Sequence, residues 1–130
     1  MTLVDASALV AILQAEPEAF EFIEFLETHD VLIPASAMVE TEILAIRRGL
    51  GSDLERLIAK LNAHVIAFDH TMVPLAAEAF RQYGKGRHKA ALNFGDCLVY
   101  ATAKHLNLPL LYKGEDFIQT DLKSARSMSH

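Results

Sequence analysis

The sequence predicts an α/β domain with a parallel sheet of four to five strands flanked by helices. Short apolar runs stop at polar residues, segments of helical periodicity separate them, and the connections are too long for hairpins, so crossovers must join parallel strands. The chain has 130 residues, 52% apolar and 22% charged, with 6 Gly and 4 Pro. That is enough apolar surface for one core and is not the composition of a disordered or low-complexity chain. One domain over residues 1–130 is expected.

Thr2, Leu3 and Val4 form a first short strand ending at Asp5, and Leu9, Val10, Ile12 and Leu13 then recur at helical spacing. Pro17 suits the first position of a second helix, whose apolar stripe is Phe22, Ile23, Phe25 and Leu26 and whose wet face carries Glu21, Glu24 and Glu27. Val31, Leu32 and Ile33, followed by Pro34, read as a buried strand. Ser36 is a suitable N-cap for the helix carrying Met38, Val39, Ile43, Leu44 and Ile46, which Gly49 and Gly51 stop. Leu54, Leu57, Ile58 and Leu61 define another helix. Residues 64–68 are strand-like, and Asp69 is placed to cap a helix through Val73, Leu75, Ala76 and Phe80. Residues 81–89 break the periodicity as a basic loop, residues 95–105 form a helix, and residues 109–112 are the last strand before a turn at Lys113 and Gly114.

The composition also bounds the setting. Cys97 is the single cysteine, and the first residues lack the basic stretch and apolar run of a signal peptide, so a reducing, cytoplasmic location is expected. No apolar run approaches the roughly 20 residues needed to span a bilayer. With 17 Asp+Glu against 12 Lys+Arg the net charge is −5. Taken alone, that counts against a nucleic-acid partner, because cation contacts to phosphate dominate such binding.

In an open parallel sheet, ligands bind beyond the carboxyl ends of the strands. Asp5 follows the first strand, Glu40 lies about one turn into the helix after the second, and Glu115 and Asp116 follow the last. Asp96 sits in the first turn of the helix that Asn93 opens. Each acid has a plainer role available: Asp5 and Asp96 as helix-capping residues, Glu40 as an exposed helix acid. Together they would repel one another and need a compensating cation. An all-oxygen set without Cys or His at zinc spacing suits Mg²⁺ or Mn²⁺, and such ions serve phosphoryl chemistry.

Four segments carry a resemblance. The opening run from Leu3 through Asp5 to Ala8, Ser36 through Glu40, Leu92 through Cys97, and Pro109 through Phe117 together resemble a PIN domain of the VapC ribonuclease toxin type. The likeness covers nearly the whole chain, in order. It implies that Asp5, Glu40, Asp96 and Asp116 form the acidic metal site, with Ser7 a polar residue beside it. Many PIN domains carry the fourth acid at the position occupied here by Gly114; the resemblance gives that role to Asp116, with Glu115 and Asp121 nearby as auxiliary acids and the alternatives for it. The resemblance further implies an endoribonuclease cutting structured RNA such as transfer or ribosomal RNA. Water activated by the ion would attack the phosphodiester, with no separate general base assigned. A VapB-type antitoxin and a homodimer are the expected partners.

Arg81, Lys85, Arg87, His88 and Lys89 form the densest positive stretch, and Lys85, Arg87 and Lys89 are candidates for RNA contact, with a merely solvated loop as the alternative. Arg47 and Arg48 are weaker candidates. The histidines show no metal spacing, and Cys97 reads as a buried, inert thiol. Phe22, Phe25, Phe68 and Phe80 sit at core periodicity. Glu16, Glu18, Glu21, Glu24 and Glu27 make a solvated face, and the apolar side of that helix, widened by Phe20, suits a dimer or antitoxin groove. A phospho-receiver domain would instead use Asp5, Asp69 and Lys113; it lacks the usual acid pair after strand one and leaves Glu40 and Asp96 without a role. A PIN fold without catalysis, binding RNA only, is the third possibility, and the intact acids argue against it.

Overall fold

A computed structural model describes residues 1–125. The chain runs β1 (Thr2–Val4), α1 (Ala6–Leu13), α2 (Ala19–Glu27), β2 (Val31–Pro34), α3 (Ala35–Arg48), α4 (Gly51–Leu61), β3 (His64–Ile66), α5 (Val73–Tyr83), α6 (Phe94–Leu106) and β4 (Leu110–Leu111). Short 3₁₀ turns lie at His70–Met72 and Phe117–Gln119. The strands form one parallel sheet in the order β3-β2-β1-β4, with Thr2 opposite Val31 and Val4 opposite Leu111. Successive strands step from β1 through β2 to β3 in one direction, and β4 then inserts on the other side of β1. That reversal opens a crevice at the carboxyl ends of β1 and β4, where an open α/β sheet binds its ligands.

The core is built by the strands that flank this crevice. Leu3, Val4, Leu110 and Leu111 are fully buried, and Leu9, Phe22, Leu26, Ile33, Leu92 and Val99 pack around them. α1 packs on α2 and α3, while α5 packs chiefly on α6. Gly49, Asn62 and Asn107 end α3, α4 and α6 in the left-handed conformation that Gly and Asn adopt most readily. Ala15 takes the same conformation after α1, at φ 51°, without that advantage.

Several local expectations are corrected. Pro17 lies in the turn before α2, which starts at Ala19, because the chain from Ala15 to Glu18 is used to reverse direction. Ser36 is inside α3 and does not cap it; Pro34 occupies the N-cap position, and the Ser36 hydroxyl is buried without a partner. Gly51 starts α4 and so does not share in stopping α3. β3 is shorter than residues 64–68, since an edge strand with Val65 half exposed has little to bury. Arg81 belongs to α5 and pairs with Glu78, so the basic loop begins after Tyr83. Phe80 is 42% exposed and thus only partly a packing residue.

Candidate active site

The crevice is lined by Asp5, Ser7, Glu40, Asp96, Lys113 and Asp116, around a cavity of about 270 Å³. Asp5 is placed by the sheet itself: its backbone N–H donates to the Leu111 carbonyl at 2.9 Å, which fixes it at the end of β1 beside β4. Its side chain caps α1, accepting from the Ser7 N–H at 3.0 Å and from the Ser7 hydroxyl at 2.6 Å. Capping and facing the crevice are therefore done by one carboxylate. Asp96 behaves similarly. It forms a capping box with Asn93, the Asn93 side chain accepting from the Asp96 N–H at 2.8 Å and Asp96 accepting from the Asn93 N–H at 3.1 Å, and it still lines the cavity. Glu40 comes from α3, and Asp116 from the turn after β4.

Gly95 leaves room for one of these acids, Glu40. A Cβ on Gly95 would run into a Glu40 carboxylate oxygen, the free end of a flexible side chain, which would then have to shift. The acids also feel one another. Burial holds Asp5 above the ordinary carboxyl range despite the Ser7 hydrogen bonds, with the charge of Asp116 adding to it. Burial raises Glu40, helped by Asp5. Asp96 is pushed up to about 6 by desolvation and then by Asp5, Asp116 and Glu40, against the Asn93 hydrogen bond. Among the described residues, no three Asp, Glu, His or Cys side chains are drawn together tightly enough to grip an ion as they stand. The donor chemistry is nonetheless that of a hard divalent cation: four carboxylates line one cavity, and burial, then neighbouring charge, raises Asp5, Glu40 and Asp96.

The remaining sequence candidates fall elsewhere. Glu115 is exposed and does not line the cavity. Asp121 is turned away, accepting from the Tyr100 hydroxyl at 2.5 Å and from Lys104 at 2.9 Å, and these partners hold it below the ordinary carboxyl range despite partial burial. Asp69 sits beyond the edge strand β3 and accepts from the Thr71 N–H and hydroxyl. It does not meet Asp5 and Lys113, which removes the receiver arrangement. Lys85, Arg87 and Lys89 are exposed on the loop between α5 and α6, which hydrogen bonds between Lys85 and Leu92 and between Leu92 and Tyr83 close at its base. Arg87 lies over the Phe80 ring, 5.6 Å from its centre. No helix of the described residues is long and apolar enough to cross a membrane.

Two features escaped the sequence. Glu16 and Glu18 belong to no solvated face: both are mostly buried against Lys113, whose ammonium lies 2.6 Å from Glu16 and 3.3 Å from Glu18. Their separation from Lys113 in sequence hides the pairing, although a proline between two acids marks a turn where a helix face was expected. The role of Gly95 was equally hidden, since only the position of α3 explains it.

Residues 2–123 match the PIN domain family. The chain belongs to that family. Among curated relatives, this PIN domain is 37% identical over 123 residues to ribonuclease VapC30 of Mycobacterium tuberculosis, a match covering 92% of this chain and 94% of that protein. It is 40% identical over 124 residues to ribonuclease VapC of Mycolicibacterium smegmatis, covering 92% and 95%. These relatives place the PIN domain among the VapC ribonucleases. Among solved structures it resembles the crystal structure of M. tuberculosis VapC20, a sarcin-ricin loop cleaving toxin, with a TM-score of 0.75 at 16% identity over 94% of this chain and 96% of that one. At that identity the likeness concerns the fold.

Proposed function

We propose that this PIN domain is a divalent-metal-dependent endoribonuclease, the toxin of a toxin–antitoxin pair, that cuts structured RNA such as transfer or ribosomal RNA. The observation that carries this is the meeting of Asp5, Glu40, Asp96 and Asp116, from four separate segments, around one crevice at the switch point of the sheet. Asp5, Glu40 and Asp96 would hold Mg²⁺ or Mn²⁺, and Asp116 would complete the set or serve a second ion. When bound, the ion supplies an activated water and offsets charge on the phosphate.

The chain's own residues do the rest. Ser7 orients Asp5 by donating to one of its carboxylate oxygens. Asn93 orients Asp96 through the capping box. Lys85, Arg87 and Lys89, on the loop that leads into α6, would hold the RNA backbone next to Asp96. The names of the ribonuclease relatives support the activity, and a toxin–antitoxin complex from Klebsiella pneumoniae with this fold, at a TM-score of 0.73, supports an antitoxin partner. Action in the cytoplasm as a homodimer completes the proposal. The test is incubation of the purified protein with total RNA and Mn²⁺ or Mg²⁺, followed by sequencing of the new RNA ends. Discrete cleavage that EDTA abolishes is expected; intact RNA, or cleavage indifferent to EDTA, would overturn it.

A further inference from the structure

We infer that Lys113, held by Glu16 and Glu18, is a positioning residue that locks the acidic site together from behind. The inference rests on the nuclease proposal for its consequence and on the following geometry for its existence. Lys113 lines the same cavity as the four acids, yet its charge is already used: Glu16 lies 2.6 Å and Glu18 3.3 Å from the ammonium. Among the described residues the buried Glu18 oxygen accepts no well-aligned hydrogen bond, and the Lys113 ammonium is the cation beside it. Two carboxylates on one ammonium leave no positive charge to offer an RNA phosphate.

The backbone of the same residue does something different. The Lys113 N–H donates to the Ser7 hydroxyl at 2.9 Å, and that hydroxyl donates to Asp5 at 2.6 Å. One continuous relay therefore joins Lys113 to the most buried acid of the site. On the other side, Gly114, at φ 102°, turns the chain directly toward Asp116. The side chain of Lys113 thus anchors a two-residue hinge whose backbone sets Asp5 and whose next residues deliver Asp116. The turn that supplies the anchor needs holding: Ala15, just before Glu16, occupies the left-handed conformation that usually falls to glycine at a helix end.

The experiment uses the full chain with Lys113→Met, Lys113→Arg and the Glu16→Gln/Glu18→Gln double variant. In metal-free protein, hydrogen exchange at the Ser7 and Lys113 amides should speed up about tenfold in Lys113→Met and in the double variant, with amides in the middle of α6 unchanged. Unchanged exchange at Ser7 and Lys113 would overturn the clamp, whatever the protein does to RNA. With Mn²⁺, free-ion EPR and RNA cleavage should show binding weakened by 10-fold or more, the scale for residues that orient metal ligands, and a fall in kcat with KM little changed. Lys113→Arg, which can bridge the same two carboxylates, should recover most of both. Faster exchange with wild-type Mn²⁺ affinity and kcat would reduce the clamp to a stabilising contact and overturn the positioning role. A raised KM in Lys113→Met with a lowered KM in the double variant would do the same by showing that Lys113 binds RNA. If the wild-type chain bound no Mn²⁺ and cut no RNA while exchange responded as stated, the nuclease proposal would fail and the clamp would stand.

Discussion

Replacing Asp96 by Asn should abolish cleavage and yet stabilise the metal-free protein. Asp96 ionises near 6 in the folded chain, against an ordinary value of 3.8, because burial and three neighbouring carboxylates oppose its charge. Between those two values the folded state binds the proton more tightly than the unfolded state does. Metal-free stability therefore falls as pH rises through that window, and the full penalty is present at neutral pH. A difference of about two units corresponds to about 3 kcal/mol, and solvent screening of this half-exposed carboxyl reduces it to about 1–2 kcal/mol. Asn keeps an oxygen to accept from the Asn93 N–H, so the capping box survives; losing the negative charge at the start of α6 costs about 0.3–1 kcal/mol. The net gain is about 1 kcal/mol, or roughly 3–5 °C in Tm for a chain of this size. Thermal melts in EDTA at pH 5 and pH 7 measure it. The wild-type Tm should fall between the two, and the Asn variant should melt higher at pH 7 with a flatter dependence. A variant that melts lower at pH 7, or a wild type that gains stability from pH 5 to 7, would refute the electrostatic reasoning.

Gly95→Ala should weaken Mn²⁺ binding about tenfold, since the new methyl displaces the Glu40 carboxylate, while a better helix former raises metal-free stability by up to about 1 kcal/mol; wild-type metal affinity measured by calorimetry would count against it. Arg87→Ala with Lys89→Ala should weaken RNA binding and reduce the slope of log K against log salt by roughly 1 to 2, whereas an unchanged slope would make the loop merely solvated. Ala15→Gly should stabilise the chain by about 0.5–1 kcal/mol in denaturant melts by relieving a left-handed alanine, and a loss of stability would show that the turn is not strained.

The order of strands and helices was legible because each buried strand is a short run that stops at a polar residue and each helix shows its apolar stripe. Where the periodicity was weakest the boundaries slipped: β3 is an edge strand with an exposed Val65, and α5 runs through Arg81, where a charged residue on a helix surface resembles the start of a loop. The acids were legible for a related reason, since in a parallel sheet the residue after each strand is delivered to the same edge. Asp5 follows that rule directly, and Asp121 shows its limit, because proximity in sequence to the last strand does not prevent a side chain from turning to Tyr100 and Lys104. The pairing of Glu16 and Glu18 with Lys113 spans most of the chain, and nothing local signals it.

The net charge of −5 also acquires a different meaning. Four of the acids line one crevice and two more are spent on Lys113, so the acidic total says little about the exposed face formed by Lys85, Arg87 and Lys89.

Cleavage, as proposed, depends most directly on the acidic site. Cleavage of RNA with Mn²⁺ should be measured for the wild type, Asp5→Asn and Asp96→Asn, each checked for folding by circular dichroism. The site predicts a folded protein in every case, and a loss of at least about 100-fold in rate for both variants, no less than the most that removing a group that merely orients a metal ligand costs. Folded variants that cut RNA at the wild-type rate would contradict it.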